Sequence, residues 1–346
     1  MSGVVAAKSG MMRAWSFARV GPVDDGGLRL VERPIPEPGP GQVRIRVSVC
    51  GVCRTDLHLV EGDLAPHVAG TVPGHEVVGY VDRLGPGCER VERGDRVGAA
   101  WLARSCGRCR FCASGRENLC LEPLFTGWDV DGGFAEFMVA DERFVYHLPE
   151  AFDDESVAPL LCAGIIGYRA LRRAAVPEGG RLGLYGFGAS AHLVAQLALS
   201  EGARVHVVTR SSDDQRFALE LGAASACGND EAPPEPLDAA ILFAPAGELV
   251  PDALAALDRG GTLAIAGIHV SEIPPLDYDR LLFNERDLRS VTANTRADGR
   301  ALLAAAARAG LRVATTPYRF DEVDRALSDL AHGRFRGAAV VRVSSD

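Results

Sequence analysis

The chain has 346 residues, 47% of them hydrophobic and 24% charged, and its formal net charge is −9. That length favours two domains over one core, and the acidic balance disfavours binding to nucleic acid or anionic membranes, which attract basic proteins. No apolar run reaches the roughly 18 residues of a transmembrane helix, and the first residues lack the apolar core of a secretory signal. We therefore expect a cytoplasmic protein without membrane contact, in which clustered cysteines bind metal rather than form disulfides.

Residues 1–150 are rich in glycine, proline and short alternating runs. Between residues 43 and 49, valine or isoleucine occupies every second position, a period of two that is typical of a half-buried strand. The segments VVGYVDRLGPG and DRVGAAW predict further strands closed by turns. We interpret this region as all-β and barrel-like.

From residue 153 the pattern changes to alternating helices and strands. DDESVAPLLCAGIIGYRAL predicts a helix with Asp153 or Asp154 as its N-cap. RLGLY (181–185) and RVHVV (204–208) predict strands on either side of a helix, and LDAAILFA and GTLAIAG predict strands on either side of helical ELVPDALAALDRGG. Repeated units of this kind predict a parallel, doubly wound sheet. Two further helices and short strands follow, and their pattern alone assigns them to neither domain.

A glycine-rich turn lies between the first of these strands and its helix. Gly186 allows a tight turn, Gly188 allows close approach of a pyrophosphate, and the small Ala191 lets the helix pack on the sheet. The pyrophosphate would meet free N–H groups at the helix N-terminus. This placement favours dinucleotide binding over a glycine-rich turn without a ligand. The residues predicted to contact the dinucleotide here are Gly186, Phe187, Gly188, Ala189 and Ser190.

The end of the second strand bears on the choice between NAD and NADP. An acidic residue there would bind the ribose 2′-hydroxyl of NAD, but the chain has Thr209, Arg210 and Ser211. Hydroxyls and a guanidinium suit a 2′-phosphate, so we predict that NADP(H) is favoured over NAD(H). In the alternative, Arg210 points to solvent and NAD binds without the usual acidic partner.

Four cysteines occur within fifteen residues, separated by two, two and seven others: Cys106, Cys109, Cys112 and Cys120. Four thiolates at this spacing can surround one tetrahedral Zn²⁺, and such a closed site has a structural role. The alternatives are reduced cysteines in a loop, or an iron–sulfur cluster.

These motifs and three other segments resemble the zinc-dependent alcohol dehydrogenases of the medium-chain dehydrogenase/reductase superfamily. The other segments are GVCRTDLH (51–58), PGHEVVG (73–79) and LLCAGIIGY (160–168), and all occur in the order typical of the family. The resemblance covers the chain from about residue 12 to the end. It implies an NAD(P)-dependent enzyme that transfers a hydride between an alcohol and an aldehyde or ketone, assembled as a homodimer or homotetramer.

The resemblance also implies the fold class and the domains. It predicts an α/β protein in which a GroES-like β-barrel catalytic domain is formed by residues 1–156 and 295–346. A Rossmann dinucleotide-binding domain, residues 157–294, is inserted into it. The structural-zinc lobe is expected at residues 104–121.

A second zinc ion is implied only by the resemblance. It assigns Cys53, His75 and Cys162 as ligands of a catalytic zinc, which leaves a fourth position open for water or substrate. The ion would act as a Lewis acid and lower the pKa of a bound alcohol. Without the resemblance, His75 or Cys162 would more often be an ordinary core residue.

Four neighbouring residues receive roles from the same resemblance. Glu76 would lie behind the metal, and Asp56 would accept a hydrogen bond from the His75 ring. Thr55 would bind the substrate oxygen and begin a proton relay that ends at His58. The alternatives are ion pairs for the two carboxylates and an exposed histidine without function.

Further positions are implied to contact the cofactor or substrate. Arg54 would contact the pyrophosphate, and Gly267 and Ile268 would pack beside the nicotinamide. Trp101 and Trp128 occur where residues of the substrate pocket are expected, which favours an apolar substrate, although core packing explains them equally well.

Two other functions are less favoured. A zinc-independent quinone or enoyl reductase of the same superfamily usually lacks both cysteine sets. A non-catalytic, dinucleotide-binding zinc protein would not need the proton relay. Primary, secondary, aromatic and terpenoid alcohols all fit as substrates, and no metal-binding role is expected for Cys50, Cys88 or Cys227.

Overall fold

The computed structural model describes residues 10–267 and 269–344. Its β-strands are β1 (Met11–Phe17), β2 (Leu28–Pro34), β3 (Gln42–Val52), β4 (Glu76–Leu84), β5 (Arg96–Ala99), β6 (Leu102–Arg104), β7 (Leu124–Phe125), β8 (Phe137–Asp141), β9 (Val145–His147), β10 (Arg181–Tyr185), β11 (Arg204–Val208), β12 (Ser225–Cys227), β13 (Leu237–Leu242), β14 (Leu257–Ile265), β15 (Asp287–Ser290), β16 (Thr315–Arg319) and β17 (Ala338–Arg342). Its α-helices are α1 (Arg54–Glu61), α2 (Arg110–Ala113), α3 (Asp154–Val157), α4 (Ala163–Ala174), α5 (Ala189–Ser200), α6 (Ser212–Glu220), α7 (Val250–Ala255), α8 (Tyr278–Leu281), α9 (Arg296–Ala309) and α10 (Val323–Ala331). No helix in these ranges is both long enough and apolar enough to cross a bilayer.

The chain divides into two compact units. The first comprises the described residues up to Cys162, together with Thr295–Leu303 and the described residues from Val313 onward. The second comprises Ala163–Asn294 and Ala304–Arg312, so helix α9 contributes residues to both units.

The first unit is built on a seven-stranded sheet of order β16-β17-β3-β4-β5-β9, with β8 also paired to β3. Strand β3 is at the centre of the sheet. One of its edges pairs with β4. Along the other edge, Gln42–Arg46 pair with β8 and Val49–Val52 pair with β17. Its alternating residues Val43, Ile45 and Val47 are fully buried, which confirms the predicted strand. The C-terminal strands belong to this sheet, an assignment that the pattern alone left open.

The second unit contains a six-stranded sheet of order β12-β11-β10-β13-β14-β15, in which every pairing is parallel. This is the strand order of a doubly wound Rossmann sheet. The chain adds β11 and β12 on one side of β10, and then adds β13, β14 and β15 on the other side. Strands β10 and β11 have the bounds predicted from the sequence. The α/β fold class is confirmed.

Two predicted helices are shorter than expected. The segment from Asp153 is not one helix: α3 is followed by a 3₁₀ turn, and the backbone leaves the helical region at Cys162 (φ −128°, ψ −73°) before α4 begins. In ELVPDALAALDRGG, only Val250–Ala255 is α-helical, and the last residues belong to β14. Within β14, Gly260 has a φ of 72°, a left-handed conformation that few residues other than glycine adopt.

Candidate metal centres and dinucleotide loop

The segment GVCRTDLH forms the junction between β3 and α1. Cys53 is the N-cap of the helix, and its sulfur accepts a hydrogen bond from Thr55 N (3.3 Å). The Cys53 backbone N–H in turn donates to Asp56 Oδ2 (3.0 Å). A sulfur at a helix N-terminus is stabilised as a thiolate by the free N–H groups there. The local structure therefore favours the charged, metal-binding form of Cys53.

Three residues from distant segments meet at this junction. Cys53 Sγ lies 3.1 Å from His75 Nε2 and 3.9 Å from Cys162 Sγ, and His75 Nε2 lies 3.3 Å from Cys162 Sγ. With one carboxylate oxygen of Glu76, these ligand atoms all lie within 4.8 Å of one another. Two sulfurs, an imidazole nitrogen and an oxygen suit Zn²⁺. Cys162 lies at the break between the 3₁₀ turn and α4.

The tautomer of His75 follows from a buried carboxylate. His75 Nδ1 lies 3.2 Å from Asp56 Oδ1, which also accepts a hydrogen bond from Gly74 N (3.1 Å). Both side chains are fully buried. With Nδ1–H donating to Asp56, the Nε2 atom of the neutral ring can bind a cation beside the two sulfurs, as in metal sites whose histidine is oriented by a carboxylate.

The protonation of the cluster is strongly perturbed. A hydrogen bond from the Cys162 thiol, together with the adjacent His75, holds the pKa of Cys53 well below its usual range. The same hydrogen bond and burial raise the pKa of Cys162 well above its usual range. Burial disfavours the charged form of His75, but Cys53 and Asp56 outweigh it and raise the His75 pKa. A bound cation would favour the deprotonated form of both sulfurs.

Glu76 supplies an independent indication of a cation site. It is 2% exposed, and its Oε2 atom has no hydrogen-bond partner among the described residues. Burial and the Cys53 thiolate raise its pKa well above the usual range. A Cβ atom on Gly51 would lie 1.8 Å from Glu76 Oε2, so glycine is needed there to make room for the carboxylate. A buried polar atom without a partner, beside two sulfurs and an imidazole, fits a metal site.

The remaining residues predicted in this segment lie on α1. Thr55 is 1% exposed and lies beside the metal-ligand cluster through its hydrogen bond to Cys53. His58 lies one turn later, nearer the surface, with Nδ1 2.8 Å from Asp63 Oδ2. Positions three apart share a helix face, so Thr55 and His58 lie on the same side of α1, and the relay between them stays a prediction. Arg54 is exposed.

The second cluster is the four-cysteine lobe, whose sulfurs also lie within 4.8 Å of one another. Its members are Cys106, Cys109, Cys112 and Cys120. Backbone N–H groups of the lobe point at its sulfurs: Cys106 N lies 3.2 Å from Cys120 Sγ, and Cys109 N lies 3.4 Å from Cys106 Sγ. Such N–H···S bonds stabilise thiolates. Four thiolates fill the coordination sphere of a tetrahedral metal ion.

The thiol pKa values in the lobe reflect these bonds. Backbone hydrogen bonds from Cys112 and Leu121 lower the pKa of Cys109 to about 6. The pKa of Cys106 is lowered in the same way by the backbone of Arg108 and of Cys109. Burial instead raises the pKa of Cys112 to about 11. The backbone hydrogen bonds therefore favour the thiolate forms of Cys106 and Cys109, which are the forms that bind a cation.

The lobe is tied to the N-terminus of α9 by an ion pair. Arg296 donates to both carboxylate oxygens of Glu117, with Nε–Oε1 and Nη2–Oε2 distances of 3.0 and 2.5 Å. Arg296 N also donates to Glu117 Oε1 (2.7 Å), and the guanidinium lies over the Phe144 ring. Two-pronged pairs of this kind fix geometry better than single contacts do.

The glycine-rich loop has the conformation that close approach of a phosphate needs. Gly186 has a φ of 87°, and a Cβ there would lie 2.8 Å from Ala244 N, so only glycine fits. Gly188 is the N-cap of α5, and a Cβ there would meet nothing within 4 Å. That open space above exposed backbone N–H groups fits a pyrophosphate. Ala191 is fully buried against the sheet. Phe187, Ala189 and Ser190 complete the turn.

The residues predicted to select the cofactor follow β11. Thr209 is buried, Arg210 is exposed, and Ser211 is the N-cap of α6. The pKa of Glu248 is lowered by its own backbone N–H, by the Ser271 hydroxyl and by the charge of Arg210. Gly267 follows β14, and Ile268 lies outside the described residues.

Aromatic rings extend from the first cluster, and two of them, Phe125 and His67, had no expected role. The Trp101 ring meets the His75 ring edge-on, with centroids 5.0 Å apart. Trp101, Phe125 and Trp128 have interplanar angles of 16 to 24° and centroid separations of 4.9 to 5.8 Å. His67 stacks on Trp128 at 4.0 Å. We call Trp101, Phe125, Trp128 and His67 the aromatic cluster. No local pattern marks it, because its members come from three separate segments.

Comparisons with known proteins identify the family. The model of the alcohol dehydrogenase GroES-like domain matches residues 39–150, and that of the zinc-binding dehydrogenase domain matches residues 191–308. A probable alcohol dehydrogenase, AdhA, of Mycobacterium tuberculosis (strain CDC 1551 / Oshkosh) is 53% identical over 345 residues, which cover 98% of this chain and 100% of that protein. This chain belongs to the zinc-dependent alcohol dehydrogenases. It is an NAD(P)-dependent oxidoreductase that acts on alcohols, as the sequence predicts.

Solved structures of related proteins share the fold of this alcohol dehydrogenase. A cinnamyl alcohol dehydrogenase from Sorghum bicolor is 28% identical, with a TM-score of 0.86, over 96% of this chain and 97% of that one. A putative zinc-binding dehydrogenase from Sinorhizobium meliloti 1021, bound to NADP, is 27% identical, with a TM-score of 0.85, over 96% and 99%. The predicted combination of a GroES-like domain and a Rossmann sheet is confirmed.

Proposed function

We propose that this alcohol dehydrogenase holds two zinc ions per chain, favours NADP(H), and interconverts an alcohol with an aldehyde or ketone. The observation that carries the proposal is the convergence of Cys53, His75 and Cys162 beside the buried, unpaired Oε2 atom of Glu76. Because Cys53, His75 and Cys162 would supply three ligands, the fourth position of a tetrahedral zinc would remain for substrate oxygen, with the Glu76 carboxylate close by.

The residues around the first cluster have separate tasks in this proposal. A zinc ion bound there supplies Lewis acidity, which lowers the pKa of an alcohol. Asp56 holds the His75 ring in the tautomer whose Nε2 can bind a metal. Thr55 would accept the alcohol proton while its own hydroxyl proton leaves toward His58, and His58 would then release a proton to water at the surface. The 2.8 Å contact with Asp63 orients the His58 ring for that transfer.

The second zinc ion belongs to the four-cysteine lobe and has a structural role. Four sulfurs leave no open position for substrate, and the Glu117–Arg296 pair joins the lobe to α9. Removal of this zinc ion would therefore lower the stability of the fold more than the rate of hydride transfer.

NADP(H) preference rests on the end of β11. Arg210 is exposed there beside the Ser211 N-cap, where a 2′-phosphate would meet a guanidinium and helix N–H groups. The NADP bound to the Sinorhizobium meliloti relative supports this choice. Arg54 would contribute a further positive charge for the pyrophosphate, and Gly267 would pack beside the nicotinamide.

We also propose the domain roles and the assembly. Residues 1–156 and 295–346 form the catalytic domain, and residues 157–294 bind the dinucleotide. The enzyme acts in the cytoplasm as a homodimer or homotetramer. The outer strand β15 supports association, because Leu288 on it and nearby Tyr278 and Phe283 are 37%, 62% and 64% exposed.

One experiment tests the core of the proposal. Zinc is quantified in the purified protein, and a panel of alcohols is assayed with NADP and with NAD. We expect two zinc ions per chain and faster reduction of NADP. One zinc per chain, or turnover confined to quinones or enones, would support the zinc-independent reductase instead.

The cofactor preference has its own variant. Arg210→Asp should weaken NADPH binding, measured by fluorescence titration, by about 10- to 100-fold, because a charged hydrogen bond is lost. NADH binding should change little. The matched control is Arg216→Asp, which makes the same charge change at an exposed residue of α6. Equal effects of both variants would refute a specific contact at Arg210.

A further inference from the structure

We propose that His192 is a positioning residue for the dinucleotide: its imidazole fixes the Gly188 carbonyl and thereby aims the Ala189 N–H at the pyrophosphate. This inference rests on the proposed function, because it assumes that the glycine-rich loop holds the cofactor. Every residue it uses lies in the second unit.

The Gly188 carbonyl accepts two hydrogen bonds from one residue. Gly188 is the N-cap of α5, and its oxygen accepts from His192 N (3.1 Å), as the carbonyl of an N-cap residue does. The His192 Nδ1 atom lies 3.3 Å from the same oxygen. Because a carbonyl only accepts, Nδ1 carries the proton and donates it. The ring therefore adds a second hydrogen bond at the point where the helix begins.

The orientation of this carbonyl fixes the orientation of a free donor. The C=O of Gly188 and the N–H of Ala189 belong to one planar peptide unit and point in opposite directions. With the carbonyl held toward the helix, the Ala189 N–H points away from it, and the first N–H groups of a helix have no partner within the helix. This donor is one that a pyrophosphate would meet. Space for the ligand is present, because a Cβ on Gly188 would meet nothing within 4 Å.

Core packing does not account for an imidazole at this position. His192 is 1% exposed, and its Nε2 atom has no hydrogen-bond partner among the described residues. Burial lowers the pKa of His192, so the ring is neutral at pH 7 and Nε2 is a buried acceptor. An apolar side chain would fill the same space without leaving an acceptor unpaired. The hydrogen bond from Nδ1 is the contact that leucine would lack.

Ring contacts from two elements hold the imidazole in place. The His192 and Phe217 centroids are 6.0 Å apart, and Phe217 belongs to α6. Phe217 in turn meets the ring of Phe187, the loop residue before Gly188, at an interplanar angle of 71°. Because the imidazole is already ordered by this packing, keeping its hydrogen bond to Gly188 costs little side-chain entropy when a cofactor binds.

The test separates the hydrogen bond from the volume of the side chain. His192→Leu fills the space but removes the donor, whereas His192→Asn is smaller but keeps an amide N–H near the position of Nδ1. The Kd values of NADPH and NADH are measured by fluorescence titration. His192→Leu should weaken both cofactors by about three- to tenfold, the size of one lost hydrogen bond, and His192→Asn should stay within about twofold of the wild type. The two losses should be equal because both cofactors carry the pyrophosphate.

Thermal stability should follow the opposite order. His192→Asn leaves a cavity and should unfold at a lower temperature than His192→Leu, which leaves no buried acceptor unpaired. A purely structural role of His192 predicts instead that affinity follows stability. At saturating cofactor, kcat should not fall in either variant, because neither change touches the reacting atoms.

His206→Leu is the matched control. His206 is also 1% exposed, but it lies within β11, where its Nδ1 atom is 2.8 Å from Ser225 Oγ. Its replacement should lower the stability and leave both Kd values unchanged.

The outcomes separate the two proposals. A wild-type protein that binds neither cofactor contradicts the proposed function. Unchanged Kd values in His192→Leu, or equal losses of affinity in His192→Leu and His192→Asn, overturn this inference alone. Should His192→Asn not fold, His192→Leu decides: wild-type stability with weakened binding of both cofactors supports the inference, and unchanged Kd values overturn it.

Discussion

The two sulfur-rich clusters of this protein are alike in composition but opposite in construction. The lobe takes four cysteines from fifteen consecutive residues, near the surface, and joins them through backbone N–H···S bonds. The other cluster joins Cys53, His75 and Cys162 from three segments, with His75 and its partner Asp56 fully buried. A compact chain segment suffices to enclose a metal completely. An open site, with room for a substrate, needs ligands that the fold holds from different directions.

The largest effect should come from the dispersed cluster. Cys53→Ala should lower kcat/KM by about a thousandfold or more, because Lewis-acid stabilisation of several kcal/mol is lost. Zinc content should fall from two to one per chain while circular dichroism stays that of the wild type. Cys88→Ala, at a partly buried cysteine outside both clusters, is the control. Full activity in Cys53→Ala would exclude the proposed ligand set.

The lobe should respond in the opposite way. Cys109→Ser should destabilise the protein by on the order of 3 kcal/mol, since metal binding there is coupled to folding. The remaining folded molecules should keep their activity. Thermal unfolding with zinc quantification measures this, and Cys227→Ser, in the second unit, is the matched control. If Cys109→Ser abolished turnover without loss of stability, the division of roles between the clusters would be wrong.

The smallest effect concerns the attachment of the lobe to α9. Burial opposes the charge of Glu117, but the hydrogen bonds and charge of Arg296 outweigh it and lower the pKa of Glu117. A depressed carboxyl pKa contributes stability above its unfolded value, about 4.3, and that contribution is lost as the pH falls through the folded value. Glu117→Gln should therefore cost about 1 kcal/mol at pH 7 and less on acidification.

Chemical denaturation at pH 7 and at pH 3 measures this contribution, because the lower pH is well below the unfolded pKa. Glu122→Gln is the control in the same lobe, because the Arg108–Glu122 pair is 80% and 64% exposed and surface pairs contribute little. A cost for Glu117→Gln that is the same at both pH values would contradict the ion pair as its source.

The difference between the clusters also explains what the sequence could predict. The spacing of the lobe is local, so a candidate metal site there could be predicted from the residues alone, and the four sulfurs lie within 4.8 Å of one another. The strands β10 and β11 are short, mainly apolar segments, and their bounds are predicted correctly. By contrast, nothing near His75 indicates that Cys53 and Cys162 lie next to it, and only the resemblance to a family grouped them. Their roles stay predictions, although their ligand atoms converge.

Other features were not predictable because they depend on tertiary packing. The helix break at Cys162 replaces a continuous helix that propensity favours. The stack of His67 on Trp128 joins residues 61 positions apart. No sequence pattern indicates which aromatic or imidazole rings stack on one another. The ring contacts of His67 and Phe125 could therefore be found only from the structure.

The pairing of β17 with β3 has a consequence for the order in which contacts form during folding. Residues Val49–Val52, which lead directly into Cys53, take Ala339–Arg342 as their neighbours, far away in the sequence. The four cysteines of the lobe come together when one short loop closes, whereas the strand that carries Cys53 is fixed only after distant segments have met. We therefore expect the lobe to form early in folding and the strand before Cys53 to be completed late.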